Sequence, residues 1–215
     1  MNTKNRYAGK AFILLAVTIA YSVLATVVDR KAIGYDGTTV GFAALNGAFA
    51  GRFGYNSVMD TVSDIMMYIA FLVVISFGVM GFMRLIRQKS ISKVGKVLIG
   101  LGILYAAVAV IYVAFGKIPI NYRPILQPGE TELETSFPSS HTLVVCSVMG
   151  SAILAWQRLL SDKKLVKVLQ ILALVVIVVG VAARTLAGVH WLSDIAAGIL
   201  FSMTLIAFYA AWIAE

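Results

Sequence analysis

Six long apolar runs dominate this sequence and decide what it can fold into. They occupy residues 11–28, 65–83, 97–115, 142–157, 168–183 and 191–212. A helix needs about 20 predominantly apolar residues to cross the hydrocarbon core of a bilayer. Lipid offers no hydrogen-bond partner to a peptide group, so an open strand cannot take its place. We therefore predict an all-α fold class, an integral membrane bundle of about six transmembrane helices, in a single domain over residues 1–215.

The composition of the 215-residue chain agrees with a membrane protein. Hydrophobic residues make up 60% of it and charged residues 13%, whereas about a quarter of a typical soluble domain is charged. The net charge of +8 does not indicate a nucleic-acid partner, because the basic residues cluster at the ends of apolar runs and form no basic face with interleaved aromatics. The single cysteine, Cys146, excludes a disulfide within the chain and predicts a packing residue.

The distribution of lysine and arginine predicts the orientation in the cell membrane. Most of these residues lie before the first run, after the second and after the fourth. Cytoplasmic segments carry the excess of positive charge, so both termini are expected in the cytoplasm. The first run is followed by Asp29, Arg30 and Lys31 instead of a small-residue cleavage site. We therefore expect it to be a retained span and not a signal peptide.

The first outer loop, residues 29–64, contains a pattern of its own. Phe42, Leu45, Phe49 and Phe53 fall at spacings of three and four. This spacing places one apolar stripe on a short helix. Such a helix can lie in the membrane interface or pack against the spans, and the sequence does not choose between the two.

The residues suited to chemistry gather at the outer ends of the spans. These are His141, His190, Lys117, Arg123 and Arg184. Ionisable groups near membrane depth are costly and usually functional. Cations and imidazoles brought together by a helical bundle would form a site for a phosphate. For Lys117 the alternative is an ordinary cation at a span end whose ammonium reaches towards water.

The fourth span opens with Pro138, Ser139, Ser140 and His141. The first N–H groups of a helix carry partial positive charge and bind anions. The two serines can add hydroxyl donors. The alternative is ordinary helix capping by serine, with His141 as a polar end residue.

A third group of residues surrounds the start of the last span. Arg184 precedes His190, and Asp194 follows His190 by four residues. Residues four apart share a helix face, so the carboxylate is expected to accept from one ring nitrogen and leave the other free to attack. The alternative is a His–Asp pair on a helix surface near water. Upstream, the Arg123 guanidinium offers a fork that matches two phosphate oxygens.

Taken in order, these motifs resemble the type 2 phosphatidic acid phosphatase superfamily, which includes the lipid phosphate phosphatases. The motifs that carry the resemblance are Lys117 with Arg123-Pro124, then Pro138-Ser139-Ser140-His141, then Arg184 with His190 and Asp194. The resemblance covers residues 117–194, and the six spans extend it to nearly the whole chain.

The resemblance implies a role for each of these residues. His190 would be the nucleophile that forms a phosphohistidine, Asp194 would orient it, and His141 would protonate the leaving group. The phosphate-binding residues would be Arg123, Arg184, Lys117, Ser139 and the backbone of Ser140. The resemblance implies no metal and no other cofactor, since cations and helix N–H groups supply the charge stabilisation.

Three positions depart from the pattern of the superfamily. Five residues, instead of the usual six, separate Lys117 from Arg123. Ser140 stands where glycine is usual, and Ala183 stands where serine is usual. These departures predict an altered substrate or a lowered rate.

Three functions remain to be compared. The first is a membrane phosphatase that acts on a lipid phosphate or diphosphate of the phosphatidic acid, phosphatidylglycerol phosphate or polyprenyl diphosphate type, with no obligatory protein partner. The second is a relative that binds phosphorylated lipid without cleaving it. The third, a small transporter or channel, is disfavoured because the sequence has no inverted repeat and its polar residues lie at span ends and not at the midplane.

Overall fold

The computed structural model of the protein describes residues 3–214, which form seven α-helices. These are α1 (Thr3–Val27), α2 (Ala43–Ala50), α3 (Ser57–Gln88), α4 (Lys96–Lys117), α5 (Ser140–Leu159), α6 (Lys163–Leu186) and α7 (Leu192–Ile213). Six of them, all except α2, are long and apolar enough to cross a membrane. The predicted all-α membrane bundle of six spans is therefore confirmed, with each span on the predicted run.

The helices extend beyond the apolar runs because polar residues cap their ends. Asn56 precedes α3, and its side-chain oxygen accepts hydrogen bonds from the N–H groups of Val58 and Met59, both at 3.1 Å. Asp162 precedes α6 and accepts from the N–H of Lys164 at 2.8 Å. Such caps satisfy N–H groups that have no partner inside the helix. The apolar runs mark the part of each helix that lipid requires, and the caps determine where the helix starts.

The central helix of the bundle is α5, which packs against α3, α4, α6 and α7, while α1 packs on the outside of α7. More of α5 is buried than of any other span. Small residues allow this close packing, as where the Ser147 hydroxyl donates to the Ser202 hydroxyl at 3.1 Å. Cys146 is also buried in α5, in agreement with a packing role.

The first turn of α5 lies directly against α7 because of a glycine. A Cβ atom added to Gly198 would stand 2.9 Å from the Thr142 Cβ and 3.0 Å from the Ser139 carbonyl oxygen. The first distance is shorter than real Cβ contacts show, and the second is tighter than most of them. Gly198 therefore allows the starts of α5 and α7, which carry two of the predicted motifs, to approach each other.

The loop between α1 and α3 folds over this end of the bundle. It contains a short antiparallel pair of strands, β1 (Lys31–Ala32) and β2 (Thr39–Val40), followed by α2. The predicted short helix is present, but the predicted apolar stripe is wrong. Phe53 lies beyond the end of α2, and Phe42 precedes it in a left-handed conformation with φ of 51°.

The buried side of α2 is centred on a polar residue. Asn46 is 1% exposed and donates to the Ser193 hydroxyl of α7 at 2.8 Å, whereas Leu45 on the same helix is 54% exposed. Of the two arrangements left open for this helix, packing against the spans is the one present.

The loop between α4 and α5 folds back on itself. Tyr122 and Thr135 form an isolated antiparallel bridge, and the Arg123 N–H donates to the Glu134 carbonyl at 3.0 Å. The Trp191 indole donates to the Tyr122 carbonyl at 2.6 Å. This loop is therefore fastened to the start of α7 and places Arg123 beside it.

Candidate active site

The predicted site residues lie at one end of the bundle, where α3, α5 and α7 begin and α4 and α6 end. His190 lies in the turn between α6 and α7. The prediction that His190 shares a helix face with Asp194 is wrong, because α7 begins only at Leu192. The turn nevertheless brings the His190 Nδ1 atom to 3.9 Å from the Asp194 carboxylate. Gly188 permits this turn, since its φ is 71° and an added Cβ would meet the Gly54 carbonyl oxygen at 2.5 Å.

The His190 ring lies between two arginines. Its Nε2 atom is 3.2 Å from the Arg184 Nη2 and 3.4 Å from the Arg123 Nη1. A guanidinium can only donate hydrogen bonds, so Nε2 must carry the lone pair. The proton of the neutral ring is then on Nδ1, which faces Asp194. This tautomer leaves the lone pair of the ring on Nε2, between the two guanidinium groups.

His190 is kept neutral by its surroundings. The side chain is almost completely buried. Burial, together with the guanidinium groups of Arg184 and Arg123, holds the pKa of the His190 ring well below its ordinary value. An imidazole with a lowered pKa remains neutral, and so nucleophilic, as the pH falls through the range in which free histidine gains its proton.

This state of His190 can be tested by nitrogen NMR. The chain contains two histidines, so ring-labelled His141→Gln protein without an affinity tag gives the signals of one imidazole. At pH 6, below the value of about 6.5 for free histidine, we expect His190 to remain neutral with its proton on Nδ1. Chemical shifts of a doubly protonated ring at pH 6 would contradict this assignment.

Asp194 is held by buried amides. Its Oδ1 atom accepts from the Asn121 side chain at 2.8 Å, and its Oδ2 atom accepts from the Trp191 N–H at 3.1 Å. Asn121 in turn accepts from the Gly41 N–H at 3.1 Å. With Asn46 on Ser193, these bonds link the first loop to the carboxylate that faces His190. Sequence analysis did not identify Asn46 or Asn121, since nothing in their spacing distinguishes them from ordinary loop residues.

Each arginine of the site is paired with a carboxylate. The Arg184 side chain is 1% exposed, and its Nη1 atom donates to Asp60 of α3 at 2.5 Å. Arg123 donates through Nε and Nη2 to Glu134, at 2.9 and 2.7 Å. Glu134 is half exposed, so an incoming anion at Arg123 either displaces this carboxylate or uses the remaining Nη1 donor.

His141 also has a carboxylate partner. It lies in the first turn of α5, and its Nε2 atom is 2.7 Å from an Asp64 oxygen. Sequence analysis did not identify the contacts that Asp60 and Asp64 make with the site. The signal was available, because two carboxylates four residues apart at the end of an apolar helix share one face.

The remaining predicted residues lie around this centre. Ser139 is the N-cap of α5 and is fully buried. Its hydroxyl oxygen accepts from the Thr142 N–H at 3.5 Å, as the capping alternative expects, and from the Thr142 hydroxyl at 3.1 Å. Ser140 and Lys117 line a cavity beside His190. Lys117 is the last residue of α4, with an exposed side chain. Ala183 is buried one residue before Arg184.

The cavity joins the polar centre to the apolar surface of the bundle. It has a volume of about 590 Å³. Its polar wall includes Arg123 and His190, and its apolar wall includes Tyr112 and Val113 of α4. These two α4 side chains are 61% and 55% exposed on a span that faces lipid. A ligand with a charged head and an apolar tail matches both walls.

Three buried nitrogens of the site have no hydrogen-bond partner within the described chain. One is His190 Nδ1, whose distance of 3.9 Å to Asp194 is too long for a hydrogen bond. The other two are Arg184 Nε and His141 Nδ1. An unsatisfied buried polar group costs about 1–3 kcal/mol, and both nitrogens suit the oxygens of a phosphate ester. Within residues 3–214, no group of three or more His, Cys, Asp or Glu side chains is arranged to hold a metal ion.

Fold and site together define an all-helical membrane protein with a buried centre of histidines and arginines at one end of the bundle. Residues 116–215 match the model of the PAP2 superfamily. The resemblance drawn from the three motifs is therefore confirmed over these residues.

A solved structure supports the same fold over nearly the whole chain. The crystal structure of a transmembrane PAP2-type phosphatidylglycerolphosphate phosphatase from Bacillus subtilis is similar with a TM-score of 0.61 at 17% sequence identity, and the alignment covers 94% of each chain. At this identity the similarity establishes the fold alone. No curated protein sequence matches the chain.

Proposed function

We propose that the protein is an integral membrane phosphatase that hydrolyses a lipid phosphate or diphosphate through a phosphohistidine at His190. The match of residues 116–215 to the PAP2 superfamily supports a phosphatase. The similar solved structure is described as a phosphatidylglycerolphosphate phosphatase, and that lipid is one of three candidates, beside phosphatidic acid and a polyprenyl diphosphate.

One observation carries the proposal. The buried, neutral His190 ring directs its Nε2 lone pair at the guanidinium groups of Arg184 and Arg123, at 3.2 and 3.4 Å. Each guanidinium is paired with one carboxylate on its far side, but the N–H groups that face His190 meet only an uncharged acceptor and can bind an anion. A phosphoryl group that enters between them would meet the nucleophile and its charge stabilisation at once.

The reaction would proceed in two displacements. In the first, the Nε2 lone pair of His190 forms a P–N bond while the P–O bond to the leaving group breaks. The leaving oxygen takes a proton from the His141 imidazolium. In the second, His141 removes a proton from water as its oxygen attacks phosphorus, and the electron pair of the P–N bond returns to Nε2. Both imidazoles end as they began, and inorganic phosphate is released.

The cavity wall supports a lipid substrate. The wall changes from Arg123 and His190 to Tyr112 and Val113 over a single cavity. We infer that the phosphate occupies the polar part, near Lys117, while the tail leaves along α4 into the bilayer. Apolar pockets accept tails of many kinds, so the wall selects a lipid phosphate as a class.

The proposal is tested by a phosphate-release assay on purified protein in detergent. The panel contains phosphatidic acid, phosphatidylglycerol phosphate, a polyprenyl diphosphate and a water-soluble phosphate monoester. We expect phosphate release from at least one lipid at a higher kcat/KM than from the soluble ester. Release from none of them would contradict the enzyme.

The alternative is a relative that binds phosphorylated lipid without cleaving it. The departures at Ser140, at Ala183 and in the Lys117–Arg123 spacing favour this alternative, since each alters a phosphate-binding motif. Binding of a lipid phosphate with no release of phosphate would support it. The presence of His141, His190 and Asp194 favours the enzyme.

We propose further that the site opens outside the cytoplasm, with both termini inside the cell. The excess of lysine and arginine at the opposite end of the bundle supports this orientation. A membrane-impermeant maleimide should label Glu132→Cys in intact cells, and it should label Lys89→Cys at the other end only after lysis. Cys146 is buried and should give little background. The reverse pattern of labelling would invert the orientation.

A further inference from the structure

The structure contains two His–Asp pairs, and only one of them lies in the domain that the superfamily model covers. Asp194 faces His190 at 3.9 Å. Asp64 contacts His141 at 2.7 Å, which is a full hydrogen-bond distance. Asp64 belongs to α3, before the matched residues 116–215. Neither the three motifs nor the comparisons assign any role to it.

We propose that Asp64 is the positioning residue of the general acid: it holds His141 through Nε2 and so makes Nδ1 the atom that gives a proton to the leaving group. This inference rests on the proposed function. A carboxylate at one ring nitrogen fixes the orientation of an imidazole and stabilises its protonated form. His141 needs a fixed orientation and a stable protonated form, because it gives a proton to the leaving oxygen in the first displacement and takes one from water in the second.

The choice of nitrogen follows from the contacts. The Nε2 atom of His141 is committed to Asp64, whereas its Nδ1 atom is buried with no partner in the described chain. His141 lies at the end of the bundle that holds His190 and Arg184, and its neighbour Ser140 lines the same cavity as His190. The unpartnered Nδ1 is therefore the nitrogen available to a phosphate ester bound at those two residues.

The start of α3 carries Asp64 and a second carboxylate that contacts the site. Asp60, one turn before Asp64, holds Arg184, so the first two turns of α3 support a phosphate-binding arginine and the general acid together. The Asp64 side chain is 42% exposed, and the His141 side chain is 15% exposed. An Asp64 that served only to stabilise the fold would contribute little at this exposure, since solvent screens the pair.

The test compares two substrates that differ in their need for a general acid. Both are phosphate monoesters with the same alkyl tail, one joined through an alkyl alcohol and the other through a nitrophenol. A nitrophenolate leaves without protonation, whereas an alkoxide does not. For Asp64→Asn we expect kcat on the alkyl ester to fall by about 10²-fold, within the usual range for general acid catalysis, and kcat on the nitrophenyl ester to change by a small factor only.

Three control variants distinguish the loss of a residue that positions His141 from damage to the fold. Asp36→Asn makes the same chemical change on an exposed turn of the first loop, and it should leave both substrates unaffected. Asp64→Glu should recover part of the loss on the alkyl ester. In a His141→Ala background, Asp64→Asn should cause no further loss, because the two residues act as one unit.

The outcomes distinguish the inference from the function on which it rests. An equal loss on both substrates, or additive effects of the His141 and Asp64 variants, would overturn the inference and leave the phosphatase standing. A wild-type protein that releases phosphate from neither ester would overturn the proposed function and the inference with it.

Discussion

His190→Ala should abolish phosphate release while binding of the lipid phosphate survives. Removal of a covalent nucleophile costs several orders of magnitude in kcat, on the order of 10⁴-fold or more. Binding should persist because Arg123 and Arg184 keep their charge, and their carboxylate partners still hold them in position to contact the phosphate. The measurement is phosphate release in detergent, with binding of the same lipid measured separately on the same preparation.

A second variant identifies the lost step as chemistry. His190→Gln keeps a polar side chain of similar length but offers no ring nitrogen, so it should be as inactive as the alanine variant. Wild-type protein quenched during turnover should carry phosphate that is labile in acid, as a P–N bond is, and both variants should carry none. Turnover near the wild-type rate in either variant would show that His190 is not the nucleophile.

The spans could be predicted from sequence because lipid imposes a simple requirement. A bilayer demands about 20 apolar residues in a helix, and each of the six runs meets this demand without reference to the rest of the chain. The three motifs could be placed at one face for the same reason, since they lie at the ends of those runs. Their order along the chain then indicated the superfamily.

The partners of the site residues could not be predicted in this way. Asp60 and Asp64 meet Arg184 and His141 because α3 packs against α5 and α6, and the sequence does not specify which helices become neighbours. Asn121 reaches Asp194 through the folded loop between α4 and α5. Such contacts depend on tertiary packing and leave no local pattern.

The turn before α7 shows how a correct pairing can follow from a wrong local structure. A spacing of four predicted that His190 and Asp194 share a helix face, but His190 precedes the helix, and Gly188 and the Trp191 contacts determine its position. The two residues meet because Asp194 lies in the first turn of α7 and accepts the Trp191 N–H. The carboxylate therefore starts the helix and faces the imidazole at the same time.

Arg184→Lys should lower kcat by about 10²–10³-fold, the usual cost of losing one donor that stabilises developing charge. Arg184 contacts Asp60 through Nη1 and His190 through Nη2, and its Nε is unpartnered. A lysine keeps the positive charge opposite Asp60, but its single ammonium cannot also reach the His190 side of the site. Because the lost contact matters most in the transition state, KM should change less than kcat. The measurement is steady-state phosphate release.

The conservative change is the informative one at this position. Arg184→Ala would leave the Asp60 carboxylate and the His190 pocket without their common cation, and breaking a buried ion pair costs about 3–5 kcal/mol of stability. Its inactivity would then report unfolding as readily as chemistry. Arg87→Lys makes the matched change at the opposite end of the bundle and should leave kcat unaffected. If Arg184→Lys also kept the wild-type kcat, the Nη2 side of the Arg184 guanidinium would not contact the phosphoryl group. Arg123 would then be the arginine that holds it.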